Sequence, residues 1–142
     1  EAHGGAGYVE TGPMPRLFRQ SPLNAIWEGS GNVIALDVLR AINREPDGVE
    51  ALQAYLAKAR GRIAAYDAWI DGIDLRGIGE GTARLLVERL ALAAQAAVLI
   101  GQDNPIAEAF CRLRLEPRGQ AFGAFDAAID TRAIIDRAMP ST

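Results

Sequence analysis

The residue types that could do chemistry concentrate in one short run. In "NAIWEGSGN", from Asn24 to Asn32, a single carboxylate, Glu28, stands between Trp27 and Gly29, with Gly31 shortly after. A helix is expected to begin close by, and its free N–H groups favour an anion. Trp27 and Ile26 would desolvate the acid and favour its neutral form. Opposed influences of this kind tune a carboxylate to accept protons near neutral pH, so Glu28 is the candidate general base. Gly29 and Gly31 let another group approach the backbone closely. The same acid also suits a partly exposed helix-entry turn with no chemical task, and residue types alone leave both readings open.

A second run, "HGGAGY" from His3 to Tyr8, places glycines at 4, 5 and 7. Such a stretch can wrap a phosphate or the edge of a nucleotide. It is not a dinucleotide-binding fingerprint, because no strand precedes it and the spacing differs. It also reads as a helix C-cap followed by a turn. His3 is the only histidine and Cys111 the only cysteine. No zinc site or histidine-based triad can be assembled from this chain, and no metal is expected.

The third grouping is cationic. "RLRLEPR" sets Arg112, Arg114 and Arg118 close together, and Arg40 closes an earlier helical stretch. Clustered guanidinium groups are what phosphate contacts need. Ordinary surface arginines paired with Glu108, Glu116 and nearby acids fit the same pattern.

The chain has 142 residues and a net charge of −3, with 15 basic and 18 acidic side chains. The balance gives no general attraction for nucleic acid. No run is long and apolar enough for a transmembrane helix, and no signal-peptide pattern is present. One cysteine allows no internal disulfide, which fits a reducing, cytoplasmic setting. The opening "EAHGG" reads like a helix already ending, so the chain is expected to be a piece of a longer protein.

Helices must position these groups. Pro15 suits the first turn of a short helix near Arg16 to Gln20. Ser30 suits the N-cap of the next helix, which carries Val33, Leu36, Leu39 and Ile42 at helical spacing as far as Asn43. Pro46 breaks it, and "DGVE" reads as a capping box from Asp47 to Glu50. Val49, Leu52, Leu56, Ala59, Ile63, Tyr66, Ile70 and Ile73 then alternate spacings of three and four, predicting one long amphipathic helix. A seam so regular could pack on a copy of itself or on the next helix. That next helix runs from about Thr82 to Gln102, with Leu85, Leu86 and Leu90 among its core-facing residues. Asn104-Pro105 opens another, with Ile106, Phe110 and Leu113 facing inward, ending at Pro117. Asp126 can cap a last helix closing before Pro140. No strand pattern occurs. The fold class is all-α, an antiparallel helical bundle, with a boundary near Arg44 to Gly48.

"GGAGY" followed by "IWEGSGN" resembles the C-terminal region of the acyl-CoA dehydrogenase superfamily. "WEGSGNVIALDVLR" is similar to its AidB-like branch, flavoproteins of the bacterial response to alkylation damage. The resemblance implies that residues 1–45 end the dehydrogenase helical domain and that 46–142 are an appended antiparallel helical domain. It implies a homotetrameric FAD-dependent parent that oxidises an acyl-CoA thioester between its α and β carbons, with Glu28 as base. Gly29, Ser30 and Asn32 would lie near the flavin, and Gly4 and Gly5 would touch the adenosine end of FAD bound mainly by a neighbouring subunit. Trp27 stands where many dehydrogenases have tyrosine, and Asn32 where many have glutamine. The chain alone is expected to bind no FAD and to catalyse nothing. The AidB-like likeness also implies duplex DNA as a partner, through Arg40, Arg112, Arg114 and Arg118, with dehydrogenation then vestigial.

Overall fold

The computed structural model describes residues 2–76, 78–116 and 130–138. All regular structure in them is helical: α1 Met14–Gln20, α2 Gly31–Arg44, α3 Pro46–Ala57, α4 Ala64–Asp71, α5 Glu80–Gly101, α6 Ala107–Arg114 and α7 Thr131–Ala138. Short 3-10 turns at Gly4–Gly7 and Ser21–Ala25 flank α1.

α5 is the axis of the bundle. Its sequence is apolar on several sides, which suits a helix surrounded by others. It buries Leu86, Leu90, Leu92 and Ile100, and its alanines, Ala93, Ala96 and Ala97, let neighbouring helices come close. α2, α3, α4 and α6 all pack against it. The main core joins Leu56, Ala59 and Tyr66 to these residues and to Ala107, Cys111 and Leu115. A smaller cluster, Ala35, Leu39 and Ala83 with Ile78 and Val87, seats α2 on the first turns of α5. Leu85 faces outward at 59% exposure, against the sequence expectation.

The expected single helix from Val49 to Ile73 is two helices. α3 stops at Ala57, Gly61 takes a left-handed conformation at φ +79°, and Ile63 is extended before α4. Both carboxylate oxygens of Asp67 accept the Gly61 N–H at 3.1 Å. The Tyr66 hydroxyl donates to the Leu56 carbonyl at 2.8 Å. In one continuous helix those residues would lie about 15 Å apart along the axis. Tertiary contacts have overridden a periodicity that both arrangements satisfy. The seam is therefore not available as a continuous face for a second copy.

The capping box is replaced too. Glu45 is the N-cap and Pro46 the first helical residue, so α3 restarts one residue after α2. Proline lacks only an N–H that would be unpaired there, and its φ is already helical. Asp47 sits inside the first turn instead. At α6 the Asn104 side chain accepts the Ile106 N–H, and the helix begins at Ala107. Its buried line is Ala107, Cys111 and Leu115, with Ile106, Phe110 and Leu113 half-buried beside it. Asp130 bonds the first turn of α7, accepting the Ala133 N–H at 3.1 Å. Asp126, Pro117 and Arg118 lie outside the described residues.

Candidate functional site

The turn that carries Glu28 is set from both sides. Upstream, the Ser21–Ala25 turn closes with the Ile26 and Trp27 N–H groups both donating to the Leu23 carbonyl, at 2.9 and 3.1 Å. Downstream, Ser30 is extended and acts as N-cap of α2, its carbonyl accepting the Ile34 N–H at 3.0 Å. Between them the chain passes through two residues in the left-handed half of conformational space, Glu28 at φ +63° and Gly29 at φ +120°. Glycine adopts this without penalty. For glutamate it costs about 1–2 kcal/mol. A side chain at position 29 would also meet Ile34 Cγ1 at 3.3 Å.

Glu28 is exposed, and so are its neighbours Ile26 at 62% and Trp27 at 60%. The desolvation expected from these two residues is thus not supplied by this chain. Val33 and Ile34, in the first turn of α2, are exposed as well. The first turn of α2 offers backbone N–H groups with no side-chain cap. Among the described residues nothing accepts the Glu28 backbone N–H.

Asn32 lies in that first turn. Its Oδ1 accepts a hydrogen bond of 2.9 Å from Arg84 Nη1 on α5, and the Arg84 guanidinium also lies beside Gly31. The sequence reading missed Arg84, because 52 residues separate it from Asn32 and no local pattern joins them. Gly4 and Gly5 sit elsewhere, in a 3-10 turn whose outer side is open: a Cβ at either would meet nothing within 4 Å. Gly4 is left-handed at φ +53°. A cleft of about 900 Å³ lies between this turn and α1, lined by His3, Gly7, Tyr8, Pro15 and Phe18 among others, and it does not include Glu28 or Asn32. Arg19 holds the cleft edge by a two-pronged pair with Glu10, at 2.7 and 3.2 Å, which keeps that carboxyl below its usual range.

The cationic candidates are distributed. Arg40 is on α2 and paired with Asp37. Arg112 and Arg114 are on α6, where Arg112 is half-buried and engaged and Arg114 is exposed. α2 packs on α5 and α3, whereas α6 packs on α5 and α4. Cys111 is wholly buried, and burial pushes its thiol up to about 11. Among the described residues no group of histidine, cysteine or acidic side chains could hold a metal ion, and no helix is long and apolar enough to cross a membrane.

Residues 1–43 match the family model of the acyl-CoA dehydrogenase C-terminal domain. The AidB protein of Escherichia coli (strain K12) is 34% identical over 122 residues, which is 84% of this chain and 23% of that protein. Acyl-CoA dehydrogenase family member 11 of Caenorhabditis elegans is 46% identical over 43 residues, 30% of this chain and 7% of that protein. The chain therefore spans about a quarter of the longer match. The likeness to AidB continues well beyond the domain match, into the helices that pack around α5. Residues 1–43 thus match the acyl-CoA dehydrogenase C-terminal domain and most of the chain is similar to AidB, consistent with an AidB-like acyl-CoA dehydrogenase C-terminal region.

Proposed function

We propose that Glu28 is the base that removes the α-proton of an acyl-CoA thioester in the full-length protein. One observation carries the reading: a glutamate held at φ +63° at the mouth of α2. Strained, non-glycine conformations of this kind persist where the surroundings enforce them, and they cluster at functional sites. The unpartnered Glu28 N–H supports a second role, polarising the thioester carbonyl as its oxygen gains charge. Trp27 and Ile26 would meet the acyl chain, and the larger indole narrows its path.

The residues also fit FAD. The backbone at Gly4 and Gly5 is bare on its outer side, so a cofactor edge can lie against it, while Gly29, Ser30 and Asn32 line the uncovered mouth of α2. When bound, FAD supplies the acceptor for the β-hydride. The cofactor would be held mainly by parts of the parent outside this chain, so the isolated chain is expected to carry none. Residues 46–142 are read as an appended helical domain, and the parent as a homotetramer.

The test is Glu28→Gln in the flavin-loaded full-length protein, mixed anaerobically with saturated acyl-CoA thioesters while flavin absorbance is followed. Flavin content should be unchanged and the rate of bleaching should fall by about 10²–10⁴-fold, the usual contribution of a general base. Bleaching at the wild-type rate would remove Glu28 from the reaction.

A further inference from the structure

The Arg84–Asn32 contact has a chemical consequence. Arginine carries only donors, so whatever faces its guanidinium must accept. Of the two ends of the Asn32 carboxamide, only Oδ1 can face Arg84, and it does so at 2.9 Å. The Nδ2 group, with its two N–H donors, is thereby turned away from Arg84. An unrestrained exposed amide would sample both orientations and present a donor or an acceptor.

We infer that Arg84 is a positioning residue for the cofactor-facing turn, fixing Asn32 as a committed hydrogen-bond donor toward an acceptor-rich ligand. This rests on the reading that Asn32 lies near the flavin, whose ring system is rich in carbonyl and imine acceptors. The link also has a structural meaning. Arg84 belongs to α5, and α5 is the axis of the helices in the region read as an appended domain. The cluster of Ala35, Leu39 and Ala83 seats α2 on this same stretch of α5. The appended helices thus set both the placement of α2 and the chemistry that its first turn presents.

The experiment compares Arg84→Ala, Arg84→Lys, Asn32→Asp and Asn32→Ala in the full-length protein. The measurements are FAD affinity by titration of the apoprotein, the absorbance spectrum of the bound flavin, and the apoprotein melting temperature. Asn32→Asp keeps a partner for Arg84 but removes the donor, while Arg84→Lys keeps a donor for Oδ1. Arg84→Ala, Asn32→Asp and Asn32→Ala should each weaken FAD by about tenfold, the value of one hydrogen bond. The two Asn32 variants and Arg84→Ala should also shift the flavin spectrum. Arg84→Lys should keep both affinity and spectrum, with apoprotein melting unchanged throughout. If Asn32→Ala weakens FAD and Arg84→Ala does not, the positioning role is wrong and the flavin-proximal reading stands. If neither matters, both are wrong. A loss of affinity that tracks a lower melting temperature in Arg84→Ala and Arg84→Lys alike would reduce Arg84 to a structural contact and overturn the proposal.

Discussion

The hydroxyl of Tyr66, a fully buried side chain, donates to the main-chain carbonyl of Leu56 at 2.8 Å, tying the first turn of α4 to the last turn of α3. This bond adds a second donor to a carbonyl at the end of α3 that also accepts the Ala59 N–H at 3.2 Å. It also shows that the two helices are separate and meet at the turn.

The same burial makes the fold sensitive to alkali. Desolvation raises the Tyr66 phenol from 10.0 to about 12, and it raises the Cys111 thiol from 9.0 to about 11. In both cases the folded state holds the proton more tightly than the unfolded chain. Their contributions are fully present below about pH 9, decline first through Cys111 between 9 and 11, and then through Tyr66 between 10 and 12. Urea midpoints should fall steadily over that range. Tyr66→Phe should remove the upper part of the decline and cost about 0.5–1.5 kcal/mol at neutral pH, the net value of one hydrogen bond, because the Leu56 carbonyl keeps the Ala59 N–H as a partner. Cys111→Ala should remove the lower part. A flat profile from pH 8 to 11 in the wild type would contradict this.

Gly72 and Arg89 are coupled across α4 and α5. The Arg89 guanidinium lies 5.0 Å from the centre of the Trp69 ring, and Trp69 Nε1 donates to the Arg89 carbonyl at 3.1 Å. A Cβ at position 72 would fall 2.5 Å from Arg89 Nη2, so Gly72→Ala must displace the guanidinium, and we expect this to weaken its contact with the ring. The loss should be about 0.5–1 kcal/mol, the value of such a contact. With φ −83° and ψ 0°, position 72 otherwise tolerates alanine, which by itself stabilises by about 0.4–1 kcal/mol. The two effects nearly cancel in the wild-type background. In an Arg89→Ala background, where the clash is gone, Gly72→Ala should be net stabilising by about 0.4–1 kcal/mol. A double-mutant cycle in urea reads this, and identical effects in both backgrounds would show the two residues to be uncoupled.

Glu28 trades stability for its position. Asparagine tolerates the left-handed region far better than glutamate. Glu28→Asn should therefore raise the unfolding free energy by about 0.5–1 kcal/mol while removing the carboxylate. A melting curve on the full-length protein gives the first effect, and loss of flavin bleaching by acyl-CoA gives the second. A variant less stable than the wild type would show that the carboxylate makes a stabilising contact.

The sequence by itself determined the helical class, the position of α2 behind its Ser30 N-cap and the long apolar α5, because helical periodicity and helix-start residues act over a few residues. It also marked the Glu28 turn, through the rarity of an acid set between an indole and glycines, and its likeness to a known family gave that turn a meaning. Three features were decided only by tertiary structure. Val49 to Ile73 satisfies one helix or two equally well, and the choice came from Asp67 holding Gly61 and Tyr66 reaching Leu56, contacts that exist only once the chain has turned. The start of α3 at Pro46 followed from how closely α2 and α3 abut at Glu45. Arg84 came to Asn32 from 52 residues away. Local preferences differ by a fraction of a kcal/mol per residue, so where they compete, buried hydrogen bonds and packing decide.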